Sequence, residues 1–367
     1  MRFTLATAEH DAALRRLQRA QPMPGRIRLA FASEPSWTAA HAVLGDVSQT
    51  LVATDATGAV AGCGVRSVRR LYVNGSPTEM GYLSGLRSLP RVRRALGLAQ
   101  GFRFLRQLHE ADRRTPAYLT TIIEGNETAE VALTSARARL PAYVDQGRFI
   151  TSAVFLSRRR KPAAPAGGVE IRTGAEIAWP LLLDFLRSEG PRRQFFPVVE
   201  ADDFDTSLWR GLRPADFRVA LRGGKIVGAA AAWDQSAYRQ TVVTGYDPLL
   251  RLLRPLANLG LAALGRPALP PPGDELRFIH LALPCVRGDD VGVFAALLER
   301  VHADWIDGPY TCFVVGLHER DPLRAALASF PTFAYASRLY LVSWEDGAAF
   351  VAGLDPHRIP HLETALL

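Results

Sequence analysis

Apolar positions fall into short alternating blocks and helical stripes, and these form two similar series along the chain. Phe3-Thr4-Leu5-Ala6 reads as a strand, and Thr7 is placed to cap a helix through Leu14 and Leu17. Pro22, Pro24 and Gly25 break up residues 20–50, within which Trp37 to Val43 fits a short helix. Residues 51–54 and 60–65 flank a turn at Asp55-Ala56-Thr57-Gly58, the pattern of a hairpin, and 71–75 reads as a further strand edge or turn. Residues 80–88 alternate around small residues and stop at Pro90. Phe102, Leu105 and Leu108 then recur at helical steps, with Leu98 and Phe104 beside them. Strands are predicted at 117–123 and 148–156.

The second series repeats this order: a strand at 169–172, a helix over 179–186 and a hairpin at 217–221 and 226–230. A strand at 276–284, a helix through Phe294, Leu297, Leu298 and Val301, and strands at 310–317 and 338–342 complete it. Residues 246–273 are rich in Leu and Pro and read as a helical insertion with a rigid exit at Pro270-Pro271-Pro272. Residues 158–168, charged and rich in Pro, Ala and Gly, have nothing to bury and read as a linker. The expectation is an α/β fold of mixed sheets flanked by helices, in two domains over 1–157 and 169–345, with an apolar tail at 346–367 suited to docking.

Composition changes this picture little. The 367 residues are 48% hydrophobic. Cys63, Cys285 and Cys312 lie far apart in apolar runs and show no metal spacing, which fits free thiols in a reducing compartment. There is no signal-like N-terminal segment and no apolar run near the ~20 residues that cross a bilayer; a soluble, cytoplasmic protein is expected. The net charge of +8 admits a nucleic-acid or anionic-membrane surface, or arginine enrichment around one anion site. No nucleic-acid-binding signature accompanies the basic clusters, and one of them, Arg91 to Arg94, sits where a phosphate ligand belongs, so neither nucleic acid nor membrane is expected as a partner.

That cluster lies between the strand at 80–88 and the helix that follows, a placement suited to a phosphate. Arg94-Ala95-Leu96-Gly97-Leu98-Ala99 fits Arg/Gln-x-x-Gly-x-Gly/Ala, and Asn126-Glu127-Thr128-Ala129 follows the next strand as Asn-x-x-Ala. Loop, strand, Asn-x-x-Ala and closing strand in this order resemble the GNAT (GCN5-related) N-acetyltransferases. The resemblance implies tandem GNAT-like domains and coenzyme A held at the loop. Ala95, Leu96, Gly97, Leu98 and Ala99 would supply backbone, Arg91, Arg93 and Arg94 charge, and Leu86, Ser88 and Asn126 the flanks. It also implies transfer from acetyl-CoA to a small-molecule or peptide amine, between splayed strands 80–88 and 117–123. Glu124 and Glu79 are the candidate bases. The position where many family members carry an acidic tyrosine is Leu133, which leaves the acid unassigned; Tyr143 fits packing and His109 a surface position. No metal is implied.

The second half departs from the pattern. Its loop, Cys285 to Gly292, has no register for the motif and places Asp289 and Asp290 where phosphates would lie. His318-Glu319-Arg320-Asp321-Pro322 stands in place of Asn-x-x-Ala. That half is expected to be non-catalytic and to bind no second CoA. A catalytically inactive acyl-CoA sensor or scaffold is the alternative reading of the whole chain.

Overall fold

The computed structural model describes residues 1–23, 25–89, 95–135, 140–157 and 167–367, with the backbone alone for Ala95 and Leu96. The first half contains β1 (Arg2–Leu5), α1 (Asp11–Arg19), β2 (Ile27–Ala32), α2 (Trp37–His41), β3 (Val47–Thr54) and β4 (Val60–Val73). It continues with β5 (Ser76–Ser88), α3 (Ala95–Asp112), β6 (Tyr118–Ile123), α4 (Glu127–Thr134) and β7 (Ala142–Phe155). The second half contains β8 (Val169–Thr173), α5 (Trp179–Glu189), β9 (Phe217–Arg222), β10 (Lys225–Trp233), β11 (Gln240–Tyr246) and α6 (Pro248–Ala263). Then come β12 (Phe278–Val286), α7 (Val291–Trp305), β13 (Cys312–His318), β14 (Thr332–Ser343) and α8 (Ala348–Ala352).

Among the described residues, twelve strands form one sheet in the order β1-β3-β4-β5-β6-β14-β7-β13-β12-β10-β9-β8. Each half supplies the same five-strand series, and the last strands cross over. β14 pairs with β6, β7 pairs with β13, and β7 and β14 pair with each other at the centre. β2 and β11 form a separate two-stranded ribbon that also joins the halves. The crossing explains why β7 and β14 start well before the segments expected at 148 and 338: each has partners on both edges.

Residues 71–75 are the tip of a long β4–β5 hairpin. Asn74 and Gly75 have φ of 51° and 88°, as a tight primed turn requires. α7 buries Val293, Phe294, Leu297, Leu298 and Val301 on one face against β9 and β10; full burial of each is worth about 1.5–3 kcal/mol. Gly228 on β10 permits that approach, since a Cβ there would lie 2.8 Å from Val293 Cγ1. Residues 360–366 are buried, with Ala365 at 0% exposure, in contact with both halves. The three cysteines are buried free thiols.

Candidate active site

β5 and β6 run parallel but pair only at Gly81–Tyr118 and Tyr82–Leu119. Beyond them the Thr120 hydroxyl donates to Leu83 O at 2.8 Å, so a side chain replaces the ladder. Gly85, at φ 62°, then shifts the register of β5 on β4. From Leu83 to Ser88, β5 has no ladder partner on the side of β6, and the strands form an open fork.

The closed end of the fork is pinned from below. The Tyr118 ring lies against Gly81, where a Cβ would come within 2.1 Å of it. The Tyr118 hydroxyl accepts from Arg66 Nε at 2.9 Å and contacts His109 Nδ1 at 3.1 Å. Arg66, fully buried, forms a bidentate pair with Asp112 at 2.7 and 2.8 Å. His109 Nε2 meets Asp346 at 3.0 Å. His109 is therefore buried, 3% exposed, and not the surface residue expected from the sequence. One helical step places it over Tyr118, on a strand whose position α3's periodicity does not reveal.

At the open end, α3 is described from Ala95 onward and is already helical there, several residues before its apolar stripe indicates. Gly97, Leu98 and Ala99 thus lie in its first two turns rather than in a loop. Among the described residues the amides of Ala95, Leu96 and Gly97 have no intrahelical acceptor, and a helix dipole favours an anion at such amides. Leu86, 58% exposed, and Ser88 lie on the unpaired stretch of β5 that leads there. Arg91, Arg93 and Arg94 lie outside the described residues. Asn126 caps α4 by accepting from Ala129 N at 3.2 Å, and Glu127 and Glu130 occupy the first turn of that helix. Its start is thereby satisfied by the chain itself.

The two candidate bases stand apart. Glu79 is at the closed end, bound to Arg114 at 2.5 Å. Glu124 is at the open end of β6 and forms a bidentate pair with Arg148 of β7, both bonds 2.7 Å. The Arg148 hydrogen bonds hold its carboxyl below the ordinary glutamate value. Leu133 packs in the core, and Tyr143 stacks edge-on against Tyr340.

Residues with no sequence signal lie near the fork. The Tyr82 hydroxyl lies 3.2 Å from Thr121 Oγ1, and burial pushes the phenol up to about 12. Arg239, from the turn before β11, donates to Gln235 Oε1 at 3.2 Å, to Ala365 O at 2.9 Å and to Leu367 O. Burial lowers its pKa, with Tyr82 opposing. Burial also holds His41 down to about 4 and His280 down to about 3, and Arg239 depresses both further. Beneath Tyr82, a cavity of about 30 Å³ is lined by Leu71, Met80, Leu119, Phe195 and Leu366, with Arg69 at its wall.

The second half contains the equivalent fork. β12 and β13 pair in parallel from Phe278–Cys312 to His280–Val314 and then part, with Leu283 at φ 51°. This fork is filled. The Leu283 amide donates to Glu363 Oε2 at 2.7 Å, and Thr364 lies so close to Gly316 that a Cβ there would meet its hydroxyl at 2.2 Å. Asp290 caps α7, accepting from Gly292 N at 2.9 Å and Val293 N at 3.1 Å, and pairs with Arg222 at 3.0 Å. Asp289 pairs with Arg193 at 2.7 Å.

No family model matches the sequence, and no curated protein matches it. Solved structures do match the fold. N-myristoyltransferase of Saccharomyces cerevisiae, solved with bound myristoyl-CoA, aligns over 98% of this chain and 85% of its own, at 10% identity and a TM-score of 0.58. The GCN5-related glucosamine N-acetyltransferase region of a fungal multi-domain GH3 β-N-acetylglucosaminidase aligns over 82% of this chain and 34% of its own, at 12% identity and a TM-score of 0.54. A GCN5-related N-acetyltransferase from Sphaerobacter thermophilus aligns over 80% and 79%, at 15% identity and a TM-score of 0.49. The fold of this chain is GNAT-like.

Proposed function

We propose that this chain is an acyl-CoA-dependent N-acyltransferase, moving an acetyl group from the CoA thioester directly to the amine of a small molecule or peptide. The observation that carries this reading is the open β5–β6 fork leading to the start of α3, set against an equivalent fork that the chain fills with its own residues. The amides at the start of α3 bind the diphosphate, and the unpaired edge of β5 positions the thioester carbonyl in the fork. The amine attacks that carbonyl, the thiolate leaves, and the ammonium proton passes to a base while the thiolate takes one up. Glu124 is the candidate base at the open end; to accept a proton it must first part from Arg148.

The cavity beneath Tyr82 supports a short acyl group. Its volume of about 30 Å³ exceeds what one water needs, about 10–15 Å³, and has room for a methyl. A second reading, binding without turnover, is favoured by Leu133 at the place of the acid and by the arginine held on Glu124. Release of CoA thiol from acetyl-CoA, corrected for hydrolysis and measured over a panel of amines, separates the two. Amine-dependent release supports transfer; stabilisation by CoA with no release by any amine supports a sensor.

A further inference from the structure

α6 is an amphipathic helix mounted with its apolar side outward. Leu249, Leu252, Leu253, Leu256 and Leu259 fall on one face by their three- and four-residue spacing, and they are 60, 76, 41, 68 and 70% exposed. The side turned to the protein is mixed, with Leu250, Arg254, Ala257, Asn258 and Leu261 half-buried. Asn258 bonds Leu269 through both side-chain atoms, at 2.8 and 3.3 Å, and Arg254 lies over the Tyr246 ring at 5.9 Å. The helix is held at both ends. Asp247 caps it by accepting from Leu250 N at 2.7 Å, and Leu264 O accepts from the Ser157 hydroxyl at 3.0 Å. No residue of α6 is buried. A contiguous leucine face of this kind on a soluble protein marks a contact surface.

We infer that this face docks the protein onto an anionic lipid surface. Residues 248–273 carry Arg251, Arg254 and Arg266 and no acidic residue, within a chain of net charge +8. Two copies meeting through this face would bring like charges together, whereas anionic headgroups neutralise them. The outward face holds leucine, alanine and glycine and no hydrogen-bonding group, so it offers depth of insertion and no register for a protein partner. Arg251 lies on the far side of a helix about 10 Å across, within roughly a Debye length of the headgroups. At 16 residues α6 is too short to cross a bilayer, and no helix among the described residues is long and apolar enough to do so. The helix therefore lies in the interface. This departs from the expectation of no membrane partner and stands apart from the transfer reading.

The test is co-sedimentation of the full chain, without CoA, with phosphatidylcholine vesicles and with vesicles that also carry phosphatidylglycerol. The expected result is binding to the anionic vesicles, weakened by salt and lowered about tenfold or more in L252D/L256D. Both leucines point outward, so the variant keeps the melting temperature of the parent. Failure to bind anionic vesicles, equal binding to both vesicle types, or binding unchanged in the variant would each overturn the inference. So would a dimer in light scattering that the variant abolishes, since a second copy would then cover the face.

Discussion

The Leu283 amide donates to Glu363 Oε2 at 2.7 Å, inside the fork between β12 and β13. Through this bond residues 362–367 fill one fork and border the other, where Leu366 lines the cavity below Tyr82. Glu363→Ala leaves a buried amide without an acceptor, a loss of about 1–3 kcal/mol. A lower urea midpoint with unchanged slope and faster hydrogen exchange at Leu283 are expected. Stability equal to that of the parent would mean that another acceptor replaces Glu363.

Gly97→Glu puts a carboxylate at the start of α3, where the dipole suits it and the helix persists, but where it repels a diphosphate. The rise in melting temperature given by CoA is expected to vanish, while the melting temperature without CoA is retained. An undiminished rise removes α3 from CoA binding. Calorimetry on the parent protein is expected to give one CoA per chain, because Asp290 already occupies the amides of α7; a value near two would mean that the second fork opens.

The two candidate carboxylates separate by position. Glu79→Gln, at the closed end, leaves both turnover and CoA affinity unchanged. Glu124→Gln lowers kcat with CoA affinity intact, since a base acts on the acceptor and not on cofactor binding. Full turnover in Glu124→Gln assigns deprotonation to solvent or to another group.

Acidification is expected to weaken the fold. His41 and His280 are held down to about 4 and about 3 by burial, while the unfolded chain titrates near 6.5. As pH falls below about 6.5 the unfolded state takes up protons that the native state refuses. Each histidine then removes up to about 1.4 kcal/mol per pH unit until its native pKa is reached. Urea midpoints between pH 7 and 4 follow this loss, and His41→Asn flattens the slope. An unchanged slope in that variant means His41 titrates normally in the fold.

The β3–β4 hairpin and the succession β5, α3, β6 and α4 are legible in the sequence because their signals are local. Asp55 and Gly58 form the turn, and Asn126 starts α4 with its own side chain, whereas 71–75 reads equally as a strand edge or a turn until β4 and β5 are seen to pair. Alternation determines which side chains share a face of a strand, and a helical stripe determines which residues form its apolar side. Neither names the partner. β2 is hard to place because it pairs with β11, from the far half, and β7 and β14 exchange places between halves because strand edges carry no address in their own residues. The same holds for single groups. The sequence shows that α6 has an apolar side, but the bonds of Asn258 to Leu269 turn that side to the solvent. Glu363 has the composition of a surface residue, and only the parting of β12 from β13 creates the buried amide that it satisfies. Local sequence determines backbone conformation and sidedness; the tertiary structure decides which edges and polar atoms meet, because those pairings join residues of different elements, 80 positions apart for Leu283 and Glu363 and farther for β2 and β11.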